Sequence, residues 1–396
     1  MTKINPHFQK LKREYIFPII EQKLADLKNA HPSAKIVNLG IGDIAKPLAP
    51  TVIAAICKAA QEMGTIEGLH GYPPSTGYHF LKEAIVKQEY ANLGISHEEI
   101  FISDGANSDT SNIQELFDQE CSVGITDPTY PVYLDTNILA GRNSFIRLLP
   151  CLEKNHFCPS LPDLHCDLIY LCTPNNPTGV AMTREKLKCW VDYALKNNSI
   201  LLVDNAYSAF VTSPDVPRSI FEIEGAREVA IEFRSFSKSA GFTGMRCAYT
   251  VLPKSVTANL AGSKVSLHNF WNKRQSIKSN GVAYPVQRGA EAALTSAGLA
   301  ETQAQVQEYL KEAKTLLEGL RKMGYVCYGG IDSPYIWWKT PSSQKSWEFF
   351  DLLLEKCHLI SVPGSGFGLC GEGFVRFSAF TTSEITQAAL ERISKL

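Results

Sequence analysis

The sequence predicts an α/β fold, a large, doubly wound, mostly parallel sheet joined to a smaller α+β domain. Three observations carry this. Seven short apolar runs, at 99–103, 121–126, 144–149, 167–172, 199–204, 229–235 and 247–252, recur through the middle of the chain, many of them separated by helical segments. After about residue 254 long helical stretches take over, followed by a few strand-like runs. The length of 396 residues exceeds one typical domain and leaves room for two cores.

Taken in order, residues 1–35 start polar and pass through Tyr15 to Ile20 into a helix. Ile36 to Gly42 reads as a short strand ending on glycines. Apolar residues at 52, 53, 56, 59, 60 and 63 follow helical spacing, and Tyr78 to Leu93 is helical again. In the alternating region the clearest helix runs from Thr183, as its N-cap, to Lys196. Leu187, Trp190, Val191, Ala194 and Leu195 form its apolar stripe. Helices are predicted over 263–278 and 286–323, and strands around Tyr325, Tyr335 and Phe374. The predicted units are 1–47, packing with the small domain, 48–285 as the large domain, and 286–396 as the small one. Ligands of such sheets bind at the loops beyond the strand carboxyl ends.

Composition narrows the function. With 44% hydrophobic and 20% charged residues and a net charge of −1, the chain has no basic excess for nucleic acid. Its start has no apolar leader and no run reaches membrane-spanning length, which reads as a cytoplasmic protein. Eleven cysteines include no Cys-x-x-Cys pair and nine histidines no His-Glu-x-x-His, so reduced thiols are expected and no metal site.

Chemistry-bearing residues cluster where strands should end. The stretch from Arg234 to Arg246 follows an apolar run and holds Lys238 among small hydroxyl residues. Asp104 to Asn107 opens a helix; Gly105 and Ala106 would let backbone N–H groups approach an anion, although taken alone the stretch reads more readily as a plain turn capped by Asp104. Pro128 and Pro131 stiffen the loop that presents Tyr130, as a stacking platform or as packing. Asn176 sits in a Pro-rich turn, where its amide could reach a phenolic oxygen. Asp204 ends an apolar strand, where a carboxylate needs a cationic partner or a capping role, and Tyr207 follows three residues on. Arg376 lies inside an apolar strand and requires an anion, either a structural carboxylate or a substrate. Together these supply a phosphate cradle, a ring stacker, a phenol-oxygen donor, a pyridinium counter-ion, an imine-forming lysine and a carboxylate fork, the inventory that pyridoxal 5′-phosphate (PLP) needs.

In this order the residues resemble the class I/II aminotransferases, fold type I of the PLP enzymes, over nearly the whole chain. Tyr72, Tyr130, Asn176, Asp204, Tyr207, Ser235, Lys238, Arg246 and Arg376 carry the resemblance. The stretches ending at Asp43 and Arg246, with Ser279 to Tyr284, resemble the LL-diaminopimelate aminotransferases in particular.

The resemblance implies PLP as cofactor, covalently held by the catalytic Lys238. It implies Asp204 on the pyridinium, Tyr130 stacked on the ring, and Asn176 and Tyr207 on its 3-oxygen. Ala106, Asn107, Ser235 and Arg246 would bind the phosphate, with Tyr72 from the other subunit of a homodimer. Arg376 would take the α-carboxylate beside Gly42, while Tyr15 and Asn280, the latter also from across the interface, would hold the substrate's far end. The implied partners are an amino acid and a 2-oxo acid. Two positions depart from the plant-like members, which carry Lys where this chain has Asn107 and Glu where it has Ser75; both concern the substrate and leave the cofactor chemistry intact. Aspartate or aromatic aminotransferases and β-lyases share the kit. A PLP-binding regulator would need a DNA-binding module, for which there is neither length nor a basic patch.

Overall fold

A computed structural model of the chain describes residues 1–11 and 16–396. All seven predicted apolar runs are strands of one sheet, in the order 100–103, 248–251, 230–235, 200–204, 168–172, 123–127, 146–150. Only 248–251 runs against the others. Both faces are covered, and the pleat sorts the side chains. Ile169, Leu171, Leu201 and Val203 join Leu187, Trp190 and Val191 of the helix Arg184–Asn197 on one face. Leu168, Tyr170, Cys172, Ile200 and Leu202 join Tyr133 and Trp271 on the other. Thr183 caps that helix as predicted, accepting from Lys186 N at 3.4 Å. Leu195, placed in its apolar stripe, is instead 37% exposed; the helix turns it to the rim of the core.

A second sheet, in the order 327–329, 335–339, 374–378, 362–363, is antiparallel throughout. Ile336, Trp338, Val375 and Phe377 pack against Leu316 and Leu320 of the long helix Ser296–Lys322. The alternate residues Trp337 and Phe374 pack on the opposite face. Early in the chain, Val37 and Asn38 pair in parallel with Leu359 and Ile360, which carries Gly40 and Gly42 towards the second sheet.

Two helix expectations are corrected. Residues 263–266 are not helical but form a hairpin with Thr257–Leu260. The turn residues Ala261 and Gly262 have φ of 50° and 86°, the geometry that closes a two-residue hairpin; the helix begins at Leu267. The single helix expected over 286–323 is two, Tyr284–Ala293 and Ser296–Lys322. Thr295 breaks it by capping the second, accepting from Gly298 N at 3.2 Å. All eleven cysteines are free thiols. Among the described residues no helix is long and apolar enough to cross a membrane.

Candidate active site

Register brings the loops of interest to one edge. Ser103 pairs with Ala248, which pairs with Ser235; Asp204 pairs with Phe233 on one side and Cys172 on the other. The segments 104–107, 128–133, 173–179, 205–207 and 236–246 therefore leave the sheet together. Because the strand 248–251 runs in reverse, Arg246 enters at the same edge that the other strands exit.

Asp204 is buried, and its carboxylate accepts from Tyr133 Oη at 2.5 Å and from Ala206 N at 3.2 Å. Burial raises its pKa to about 6 against these two hydrogen bonds, which lower it. Lys238 lies on the one-turn helix Phe236–Ser239, donates to Gly42 O, and stands 5.3 Å from the Phe380 ring centroid. Burial lowers its pKa to about 8, opposed by Asp43 and helped by Arg376 and Arg246.

Arg376, 2% exposed, lies against the rings of Tyr335 (4.5 Å) and Phe367 (5.0 Å). It donates to Asn176 Oδ1 and to Gly40 O, each at 2.7 Å, while its Nε has no partner. With Oδ1 so engaged, the Asn176 amide keeps its N–H₂ for donation. Tyr207 and Tyr335 share a 2.8 Å hydrogen bond between their hydroxyls. Tyr130 donates to Asn107 Oδ1 at 3.1 Å and meets Tyr133 edge to face.

At the helix opening with Ala106, Gly105 has φ of 147°, and a Cβ there would come within 2.2 Å of Arg246 Nη2. Only glycine admits the guanidinium so close to the backbone. Arg246 itself is exposed, and its guanidinium donates to Thr243 O. Ser235 caps the short helix, accepting from Ser237 N at 3.1 Å. Among the described residues, none of Asp204, Lys238, Arg246 and Arg376 is ion-paired.

Lys238, Asp204, Tyr207, Asn176, Arg376, Gly42, Tyr130, Asn107, Ala106, Ser235 and Arg246 thus converge. Tyr72 and Asn280 do not: both are exposed, Tyr72 at 89%. They sit instead on two loops that clasp each other. Gly281 lies against Pro73 and Pro74, His70 stacks on Tyr284 with centroids 3.6 Å apart, and buried Gln287 donates to Val282 O and accepts from Tyr78 N. Tyr15 lies outside the described residues. Sequence reasoning gave no role to Tyr133, Tyr335 or Phe380. Tyr133 had a usable signal, three residues after Tyr130 and so on the same side of a helical turn; Tyr335 and Phe380 sit in apolar runs that read as core.

A buried carboxylate, a lysine amine with its pKa lowered to about 8 and, among the described residues, two guanidiniums without an ion-pair partner make a site suited to a small anionic ligand. The model of the aminotransferase class I and II family matches residues 34–393, and the chain belongs to that family. It is 48% identical to the LL-diaminopimelate aminotransferase of Methanosphaera stadtmanae and 47% identical to that of Parabacteroides distasonis, over all of this chain and 99% of each relative. Among solved structures it is similar to L,L-diaminopimelate aminotransferase from Chlamydomonas reinhardtii, with a TM-score of 0.94, 41% identity, and coverage of 100% of this chain and 98% of that one. The fold is therefore fold type I, and the family implies dependence on PLP.

Proposed function

We propose that the chain is a PLP-dependent aminotransferase that takes LL-2,6-diaminopimelate as amino donor and 2-oxoglutarate as acceptor, giving glutamate and a 2-amino-6-oxo acid that closes to tetrahydrodipicolinate with loss of water. The observation that carries the reading is a charge set without ion-pair partners among the described residues: Asp204, Lys238, Arg246 and Arg376 are complementary to a cationic ring nitrogen, an aldehyde, a phosphate and a carboxylate. Their chemistry fits PLP. The ionised form of a buried carboxylate such as Asp204 is disfavoured until a cation joins it, and the unpartnered Arg376 Nε awaits an acceptor.

PLP, when bound, supplies an electron-accepting ring that stabilises the carbanion left by loss of an α-proton. The protein's residues do the rest. Lys238 holds the cofactor and, once its amine is free, Nζ removes the α-proton as general base; a pKa of about 8 leaves part of it unprotonated near neutral pH. Asp204 keeps the ring nitrogen protonated, Tyr130 covers the ring, and Asn176 and Tyr207 bind its 3-oxygen. Ala106, Asn107, Ser235 and Arg246 bind the phosphate. Arg376 grips the α-carboxylate in two-pronged fashion, which orients the Cα–H bond towards Nζ, with Gly42 lining the same pocket.

A homodimer completes the site. The exposed Tyr72 and Asn280, held as one clasped unit, reach into the neighbouring subunit, Tyr72 to the phosphate and Asn280, with Tyr15, to the substrate's far end. A panel of LL- and meso-diaminopimelate, aspartate, lysine and aromatic amino acids, each with 2-oxoglutarate, tests the reading through glutamate formation. Fast turnover of LL-diaminopimelate is expected. Inert LL-diaminopimelate with rapid aspartate or aromatic turnover overturns the substrate assignment, and pyruvate with ammonia in place of glutamate overturns transamination.

A further inference from the structure

Tyr335 is a residue that touches three parts of the site at once. Its strand Tyr335–Lys339 pairs with Phe374–Ser378, so that Trp337 stands opposite Arg376 and Tyr335 two residues along on the same face. The Arg376 guanidinium lies 4.5 Å from the Tyr335 ring centroid. Its hydroxyl is 2.8 Å from Tyr207 Oη, and a Cβ on Gly42 would fall 2.5 Å from that same hydroxyl. Both tyrosines are buried, and their rings meet edge to face at 5.2 Å. One side chain therefore connects the second sheet, which carries Arg376, to the loop of the first that carries Tyr207.

From this geometry we infer that Tyr335 is a positioning residue with two separable jobs: its ring seats the Arg376 guanidinium, and its hydroxyl donates to Tyr207. This rests on the proposed PLP reading, in which Tyr207 gives its single proton to the cofactor's 3-oxygen. Tyr207 then has only its lone pairs to offer, so the proton between the two hydroxyls belongs to Tyr335. A hydroxyl that accepts one hydrogen bond donates a stronger one. The ring under the guanidinium acts through its face, which needs no hydroxyl. The titratable and charged groups facing the pair are Arg376, Cys172 and Asp204. None of them changes when the Tyr335 hydroxyl is removed.

Tyr335→Phe separates the two jobs. In the PLP-loaded protein, the pH at which the visible absorption changes reports how well the cofactor's 3-oxygen is stabilised. Tyr335→Phe is expected to raise that midpoint by about half a pH unit through weakened donation from Tyr207. Binding of a dicarboxylate substrate analogue, followed by titration, should stay within about twofold because the ring remains. Tyr335→Leu should move the midpoint equally and also weaken analogue binding about tenfold or more. An unmoved midpoint in Tyr335→Phe, or analogue binding lost as fully in Phe as in Leu, overturns the inference. Absence of any visible band in the unaltered protein supplied with PLP would instead sink the cofactor reading.

Discussion

The strand-end floor of the site and the two clasped loops at its mouth are built on opposite plans. On the floor, Asp204 and Arg376 lie in buried strands, Lys238 and Asn176 on short segments that leave buried strands, and each hydrogen-bonds to a neighbour from another segment or to its own loop. At the mouth, Tyr72 and Asn280 are exposed, and Gln287, His70 and Gly281 hold one loop to the other. Chemistry that must not vary sits where packing fixes geometry. Recognition of the substrate's far end sits where a loop can change without disturbing the sheet. Of the two departures noted from the plant-like members, Ser75 falls at this outer level, beside Pro74, whereas Asn107 belongs to the floor, where it accepts from Tyr130.

The contrast can be broken most severely on the floor. Lys238→Ala should lower turnover at least about 10⁴-fold and abolish the visible absorption, since it removes both the covalent anchor and the base; a variant that kept either would refute its role. Asp204→Asn should cost about 10²–10³ in kcat, the scale of losing one preorganised charge. Assays at saturating PLP read this as chemistry and not as cofactor loss. A loss below tenfold would remove Asp204 from the ring-nitrogen position.

At the mouth the expected effect depends on which subunit carries the change. Tyr72→Ala alone should weaken PLP binding about tenfold, as the loss of one hydrogen bond to a charged group does. Mixing inactive Lys238→Ala subunits with Tyr72→Ala subunits should recover activity, because each hybrid dimer assembles one intact site. No recovery after confirmed subunit exchange would return Tyr72 to its own chain.

The smallest effect is on stability of the cofactor-free protein. Asp204, with a native pKa of about 6 above its usual 3.8, costs stability as pH rises through that interval. Asp109, pushed up to about 7 by burial, acts in the same sense. Lys238, at about 8 below its usual 10.5, releases its cost only as pH rises above 8. These groups together place a minimum between about pH 7 and 8, and PLP should raise Tm most in that window. Asp204→Asn should flatten the acidic limb in part; an unchanged pH profile would mean that Asp204 is not buried as a charge.

How much of this could be read from residues alone follows the same division. All seven strands of the main sheet were legible because strands buried on both faces are continuous apolar runs. The reversed direction of 248–251 was not. It follows from a connection whose only helix is the four-residue Phe236–Ser239, too short to carry the chain back along the sheet. The break at Thr295 hid in an alanine-rich stretch where helix propensity is high on both sides. Asp204 and Arg376 stood out because charge at the end of or inside an apolar run demands a partner, and Lys238, among small hydroxyl residues, gained meaning only beside them. Tyr335 did not stand out, since a tyrosine in such a run can be core on one edge and hydrogen-bond donor on the other.

The most direct test is a single half-reaction. PLP-loaded protein mixed with LL-diaminopimelate, with no oxo acid present, should lose its visible absorption in proportion to the number of subunits, and 2-oxoglutarate should restore it. Absorption untouched by LL-diaminopimelate but lost with aspartate or an aromatic amino acid would contradict the account.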